Sequence, residues 1–195
     1  MRIPISQFAA LIAGALVVSG CGATTPAAGE VTLTTEALQV MGENVYTLGV
    51  GDQLRVSVFG EEDLSGEFVI DGSGSVSMPL VGEVRARGLT VREFRTELET
   101  ILRNGYLNDP RVNAEVINFR PFFIMGEVES SGEYPYSDGL TVINAIARAG
   151  GFTYRANTRV VFIKRAGASE EVAVPMTATL RVMPGDTIRV GERFF

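Results

Sequence analysis

The sequence predicts an α+β fold made of two small β-sheet domains, each covered by one helix. Three observations lead to this prediction. Short segments in which apolar and polar residues alternate with period two recur from residue 46 onward. Two stretches instead place apolar residues at helical spacing, and Arg120-Pro121 interrupts the pattern between them. We therefore expect a first domain over residues 45–118 and a second over residues 119–195.

Residues 1–20 have the composition of a secretory signal peptide. Arg2 is followed by a run of small and apolar residues over 8–18, and small residues precede Cys21. The apolar run is too short to span a bilayer, which needs about 20 such residues. Residues 21–44 are small and polar without a sustained period, so we expect a flexible tether there.

Cys21 is the expected site of lipid attachment. The residues Val18, Ser19, Gly20 and Cys21 resemble the bacterial lipobox, in which the cysteine is acylated and becomes the new first residue. Cys21 is also the only cysteine, so no disulfide can form within the chain. An ordinary signal peptide followed by a stray thiol is the other interpretation. Gly22 after the cysteine resembles lipoproteins sent to the outer membrane, where acyl chains contribute about 0.8 kcal/mol per buried methylene.

Composition limits the functional classes. The net charge is −6, and removal of residues 1–20 takes away one arginine and no acid, which leaves −7. This balance argues against nucleic acid as a partner, because phosphate is bound through many Lys and Arg contacts. The chain has no His, and Lys164 is its only lysine. We predict no catalytic residue, no metal ligand and no cofactor, although paired carboxylates leave a glycan-cleaving enzyme open.

The first domain begins with strands. Leu54 to Val58, Glu67 to Ile70, Ser75 to Met78 and Gly82 to Val84 alternate or are apolar. Residues 71–74 predict a hairpin loop rather than a phosphate-binding loop, because no helix follows directly. The acids Glu61, Glu62 and Asp63 predict a solvated loop between strands, with a sugar or metal site as the alternative.

One strong helix follows. Thr90 and Glu93 have the spacing of a capping box, and apolar residues then recur at helical spacing until Asn104-Gly105. Residues 112–116 alternate as a closing strand after the turn at Asp109-Pro110.

The second domain has the outline of a β-grasp fold, a small sheet with one helix. Strands are predicted at 122–128, 132–136, 158–163, 171–174, 180–182 and 188–190, with a short helix from Leu140-Thr141 to Gly150-Gly151. Phe122 and Phe123 are expected in the core rather than on a carbohydrate-binding surface. Residues 51–56 match residues 185–190 at five of six positions when Leu and Ile count as equivalent. Either a common turn before a common strand or a duplication explains this match.

These residues resemble a known family, the polysaccharide export lipoproteins that carry capsule and exopolysaccharide across the outer membrane. The resemblance to the export domain lies in residues 46–56, 78–84, 88–90 and 106–112. Its motif residues are Gly51, Asp52, Pro79, Gly82, Gly88, Asp109 and Pro110. Residues 124–128, 132–134 and 140–152 are similar to the soluble-ligand-binding β-grasp (SLBB) module of the same proteins. Its motif residues are Gly126, Gly132, Leu140, Thr141, Gly150 and Gly151. The roles of all these residues are expected to be structural.

The resemblance implies a passive conduit on the periplasmic face of the outer membrane. Copies would form a closed homo-oligomeric ring, and a polysaccharide chain from an inner-membrane co-polymerase would pass through it. Larger members carry a C-terminal membrane-spanning helix, and no segment after Phe152 is long enough for one. The chain thus resembles the short members, for which a separate outer-membrane component is expected.

Four arginines are candidates for the lining of such a lumen: Arg85, Arg87, Arg155 and Arg159. They lie near predicted strand ends and turns, and solvated surface arginines are the alternative. A periplasmic lipoprotein that uses the SLBB module to hold a soluble sugar or cofactor is the other functional class left open.

Overall fold

Alternating apolar residues build the strands of this protein, and their inward faces form two separate hydrophobic cores. The computed structural model describes residues 34–42 and 45–193, all within one compact unit. The elements in chain order are α1 (Thr35–Gly42), β1 (Gln53–Val58), β2 (Glu61–Val69), β3 (Ser75–Met78), β4 (Gly82–Arg85), α2 (Val91–Arg103), β5 (Val112–Asn118), β6 (Phe122–Gly126), β7 (Gly132–Tyr134), α3 (Val142–Arg148), β8 (Ala156–Lys164), β9 (Val172–Pro175) and β10 (Thr187–Glu192). The α+β fold with two small domains is confirmed.

The first domain packs one helix against a three-stranded antiparallel sheet of order β2-β1-β5, beside a β3-β4 hairpin. Its helix α2 buries Phe94, Leu98 and Leu102 completely. The predicted capping box is present. The Glu93 amide donates to Thr90 Oγ1 at 3.2 Å, and the Thr90 amide donates to Glu93 Oε2 at 2.8 Å.

The second domain is a five-stranded sheet of order β7-β6-β10-β8-β9. Its central strands β6 and β10 are parallel, with Ile124 opposite Ile188, and the other pairs are antiparallel. Helix α3 covers one face through Val142, Ala145 and Ile146. This arrangement agrees with the β-grasp-like sheet expected from the sequence.

Helix α1 corrects the prediction of a tether over residues 21–44, for the part of that segment that is described. Thr34 caps the helix, because its Oγ1 accepts the Ala37 amide at 3.2 Å. Ala37 and Val40 are buried, and Val40 belongs to the core of the second domain. The segment lacks a strong apolar period of its own, so packing against a distant domain decides its conformation.

Three further predictions about local structure are wrong. Residues 61–63 lie in β2 rather than in a loop, since Glu61 pairs with Val58 across a tight turn. The turn at residues 71–74 connects two different sheets and is not a hairpin loop. Residues 180–182 form no strand, and only Arg181 makes an isolated bridge, to Thr141. In each case the available pairing partners, rather than the local composition, decide the outcome.

Candidate functional site

Two aspartates are buried where the two domains meet, a region we call the junction. Asp52 precedes β1 and Asp186 precedes β10, and neither has any exposed surface. Each follows a glycine in the left-handed region, with φ of +91° at Gly51 and +81° at Gly185. The sequence match between residues 51–56 and 185–190 therefore corresponds to a repeated turn that buries a carboxylate.

Both oxygens of the Asp52 carboxylate accept hydrogen bonds. Oδ2 accepts from the Gly49 amide at 2.7 Å, from Arg120 Nη1 at 2.8 Å and from the hydroxyl of Tyr46. Oδ1 accepts the backbone amide of Arg120 at 2.8 Å. The turn that opens the first domain is thus bound to the residue that precedes β6 of the second.

Arg120 connects the two repeated turns. Its Nη1 pairs with Asp52, while its Nε donates to the carbonyl of Pro184 at 3.0 Å, directly before Gly185. A Cβ at Gly185 would lie 2.7 Å from that Nε, so the arginine requires a glycine there. The guanidinium also lies 5.7 Å from the ring centroid of Tyr46. The sequence marked Arg120 only as a domain boundary, and its joining role was missed.

Asp186 uses the same turn to hold a different neighbour. Its Oδ2 accepts the Met183 amide at 2.7 Å and pairs with Arg165 Nη1. The Nη2 of Arg165 donates to the carbonyl of Val40 at 2.5 Å, which fastens α1 to the second domain. Burial raises the pKa of Asp186 to about 6, because desolvation outweighs the attraction of the Arg165 guanidinium.

Three aromatic rings pack in sequence at the junction. Tyr46 meets Phe119 edge to face with centroids 5.1 Å apart, and Phe119 meets Tyr136 in the same manner at 5.2 Å. Burial, together with the hydrogen bond to Asp52, raises the pKa of Tyr46. The phenol therefore stays protonated and donates to the carboxylate.

The motif residues of the first domain lie mainly in turns. Gly82 and Gly88 adopt positive φ of +82° and +83°, and the Gly88 amide donates to the Leu48 carbonyl at 2.9 Å. Pro79 accepts from the Val81 amide within the β3-β4 turn, and Pro110 is buried just before β5. Asp109 lies at the surface, 3.9 Å from Arg111. Of this set, Gly51 and Asp52 belong to the junction.

The motif residues of the second domain surround β6 and α3. Gly126 has a φ of +89° and lies against the Val190 backbone, where a side chain would collide with the carbonyl. Thr141 is the N-cap of α3, and Leu140 is buried beside it. Gly150 and Gly151 end that helix at φ of +87° and +95°, and Gly132 begins β7.

The structure does not bring the four candidate lumen arginines together. Arg85 and Arg87 line one cavity of the first domain, together with Ser73 and Ser75. Arg159 lines a separate cavity in the second domain, and Arg155 pairs with Glu192 at 2.7 Å. Of the four candidates, only Arg85 and Arg87 therefore line the same cavity.

Phe122 and Phe123 point to opposite faces of β6. Phe122 is fully buried as expected, whereas 40 % of Phe123 is exposed, so the prediction of a core position is wrong for Phe123. Successive residues of a strand point to opposite faces of the sheet, so both are buried only if both faces of the sheet are covered.

Over residues 34–42 and 45–193, no three acidic or cysteine side chains cluster closely enough to hold a metal ion. Within the same described ranges, no helix has the length and apolar character needed to cross a bilayer. Cys21, with Val18, Ser19 and Gly20, lies outside the described residues.

Two family models match the chain in succession. Residues 41–117 match the family described as polysaccharide biosynthesis/export protein, and residues 120–190 match the SLBB domain. The two matches meet around Arg120, where the structure joins the two cores.

Curated relatives match over about three quarters of the chain. The exopolysaccharide production protein ExoF of Rhizobium meliloti (strain 1021) is 33 % identical over 150 residues, which cover 71 % of this chain and 36 % of that protein. The EPS I polysaccharide export outer membrane protein EpsA of Ralstonia nicotianae is 25 % identical, over 75 % of this chain and 41 % of that protein. The polysialic acid transport protein KpsD of Escherichia coli is 23 % identical, over 76 % of this chain and 28 % of that protein. The chain thus spans less than half the length of these relatives.

The fold and the order of the domains define an export-type module followed by a β-grasp module. The chain belongs to the polysaccharide biosynthesis/export protein family, and its second domain is an SLBB domain.

Proposed function

We propose that this protein is a lipid-anchored outer-membrane lipoprotein that assembles into a ring and conducts capsular polysaccharide or exopolysaccharide out of the cell. The coarser part of this proposal, polysaccharide export, is supported by the family and by relatives named for polysaccharide export or transport. The ring, the anchor and the position at the outer membrane are the finer part.

The observation that carries the proposal is the buried ion pair that joins the export module to the SLBB module. Arg120 binds a buried carboxylate of the first domain and a backbone carbonyl next to the corresponding turn of the second. A ring built by heterologous contacts closes only if each copy presents its two faces at a constant angle. A buried, charge-assisted joint supports such a constant angle.

Leu80 supports a contact between copies. It is the one non-glycine residue of the described ranges with positive φ, at +63°, and its side chain is 75 % exposed at the tip of the β3-β4 turn. A strained backbone and an exposed apolar side chain at the same position indicate a use beyond folding. We place the contact with a neighbouring copy at this tip.

The proposed partners follow from this role. A polysaccharide chain would be received from an inner-membrane co-polymerase, and a separate outer-membrane component would complete the path. The anchor at Cys21 would hold the protein on the membrane, facing the periplasm. We propose no enzymatic activity, no cofactor and no binding of nucleic acid.

Gene deletion with complementation tests the export role. Deletion should abolish surface polysaccharide while its synthesis machinery stays intact, and the wild-type gene should restore it. In parallel, the full chain extracted in detergent should elute as a multimer, as measured by size-exclusion chromatography with light scattering. Leu80→Asp should lower that mass, whereas Ser77→Asp, on an exposed residue of the same hairpin, should not.

A deletion strain with full surface polysaccharide, together with a protein that is monomeric at every concentration, would refute the proposal. The ligand-binding lipoprotein, which holds a soluble sugar or cofactor in its SLBB domain, would then take its place. Shortened polysaccharide after incubation with the pure protein would contradict the absence of catalysis.

A further inference from the structure

Three cavities lie in a row on the described surface and cross from the first domain to the second. Their volumes are about 520, 420 and 510 Å³, each within the range of ligand pockets. The first and second share Arg87 and Gly88, and the second and third share Thr47, Arg120 and Ala166. Neighbouring cavities share lining residues, and we call the three together the arginine groove.

The charge of the arginine groove is opposite to that of the chain. Its walls include Arg85, Arg87, Arg120 and Arg165. Asp186 is the only carboxylate in these walls, and it is buried and bonded to Arg165. Arg120 and Arg165 are ion-paired with the buried Asp52 and Asp186. The positive charge of the groove is therefore that of Arg85 and Arg87, at its first-domain end, on a protein whose net charge is −6.

Arg85 and Arg87 are not neutralised by other side chains of the described ranges. Neither lies within ion-pair distance of a carboxylate there, although six other arginines do. The nearby Asp71 uses its Oδ1 within its own turn, where it accepts the Ser73 amide at 2.8 Å and the Ser75 amide at 3.2 Å. The hydrogen bond from the Ser73 hydroxyl, together with these amide bonds, holds the pKa of Asp71 below its usual value.

Two of the arginines lie closely against glycines of the groove. The Arg87 amide donates to the Gly74 carbonyl at 2.8 Å, and a Cβ at Gly74 would lie 2.6 Å from the Cβ of Arg87. Arg120 lies over Gly185 in the same manner. Side chains that are already positioned lose less conformational entropy on binding, so they favour a ligand that fits them.

We propose that the arginine groove binds an acidic polysaccharide, a chain whose carboxylate groups recur along its length. This rests on the proposed function and names the substrate class for it. The guanidinium groups of Arg85 and Arg87 suit carboxylates that recur along a polymer, since each contact is charge-assisted, and the neighbouring cavities leave room for the rest of the chain. A neutral glycan would gain nothing from the unneutralised charges of Arg85 and Arg87, and a single small anion would occupy only one of the three cavities.

Binding of two matched oligosaccharides tests the proposal. The full chain in detergent is titrated with end-labelled oligogalacturonate or with maltooligosaccharide of the same length, and fluorescence anisotropy gives the affinity. We expect tighter binding of oligogalacturonate that weakens with added salt. The double variant Arg85→Gln/Arg87→Gln should lower its affinity about tenfold.

The double variant Arg92→Gln/Arg95→Gln is the matched control. It removes the same charge from the exposed face of α2, and it should change the affinity less than about twofold. Equal affinity for the two oligosaccharides would overturn the proposal that the groove binds an acidic polysaccharide. An equal loss of affinity in both double variants would overturn it as well.

This failure is distinguishable from failure of the proposed function. If deletion abolishes surface polysaccharide while the protein does not discriminate between the two probes, only the groove is wrong. If the deletion strain keeps its polysaccharide, the export role itself is wrong, whatever the probes do.

Discussion

At the scale of single residues, the same turn fastens two different neighbours. Asp52 and Asp186 each follow a left-handed glycine and each accept an amide three residues earlier in the chain. Asp52 then binds Arg120 and with it the second domain, while Asp186 binds Arg165 and with it helix α1. Two buried ion pairs therefore determine how the parts of the chain are attached to one another.

Replacement of Arg120 by methionine should destabilise the protein strongly. It would leave the Asp52 carboxylate buried without its charge partner, so the free energy of unfolding should fall by about 3–5 kcal/mol. Urea denaturation measures this. Arg111→Met is the control, since Arg111 and Asp109 are 78 % and 79 % exposed and their loss should cost less than about 1 kcal/mol. An equal decrease in the free energy of unfolding of the two variants would contradict the stabilising role of the ion pair between Arg120 and Asp52.

Asp186 should make stability depend on pH. Its pKa is about 6 in the folded protein against an ordinary 3.8, so between these values the folded state binds more protons than the unfolded state. The free energy of unfolding should therefore fall as the pH rises from about 4 to about 7, by roughly 3 kcal/mol for two units of pKa.

The variant Asp186→Asn should lack this contribution. Urea denaturation at pH 4, 5, 6 and 7 gives the difference between wild type and variant, which should change steadily across the series. Asp109→Asn, at an exposed position, controls for the loss of an ordinary carboxylate. A difference for Asp186→Asn that is constant with pH would contradict the prediction.

At the scale of elements, the sequence predicts a helix correctly where that helix has its own capping residues and its own apolar stripe. Helix α2 has a capping box at Thr90 and Glu93 and an apolar stripe that buries Phe94 and Leu98. Helix α1 has only Thr34 as a cap and depends on the second domain for burial of Val40. Helix α2 was predicted from the sequence because its own residues carry the signals for a helix. Helix α1 was missed because its formation depends on contacts with the second domain.

Loss of the capping box should measurably weaken the first domain. Thr90→Ala removes the oxygen that accepts the Glu93 amide, and we expect a loss of about 1 kcal/mol in the free energy of unfolding. Thr96→Ala removes a hydroxyl bonded to the Arg92 carbonyl within the same helix, and it should change stability by less than about 0.5 kcal/mol. Thermal denaturation of both variants checks the difference. A larger loss of stability in Thr96→Ala than in Thr90→Ala would contradict the role of Thr90 as the cap.

At the scale of the whole molecule, two separate cores behave as one unit. The described residues fall within a single compact unit although each domain buries its own apolar face. The arginine groove exists only because the domains are held together, since Thr47 and Arg120 contribute to it beside Ala166 and Gly185. Joint and groove therefore belong to the assembled protein rather than to either domain.

The anchor is predicted at this scale as well. Cys21→Ser should abolish attachment of fatty acid and leave a soluble or uncleaved precursor, because no other cysteine is present. Labelling of cells with a clickable fatty acid followed by fractionation measures this. Wild-type protein that takes up no label would rule out the lipoprotein assignment.

Most strands, the capped helix α2 and the order of the two domains could be predicted from the sequence alone, and the leader at residues 1–20 stays a prediction. These features depend on composition, periodicity and capping, which are properties of a few neighbouring residues. The role of Arg120, the docking of α1 and the arginine groove became visible only in the folded chain, where the Arg120 amide meets Asp52 across 68 residues of sequence. A buried ion pair or a cavity depends on which distant segments come to lie side by side, and periodicity reports only which face of a segment is buried.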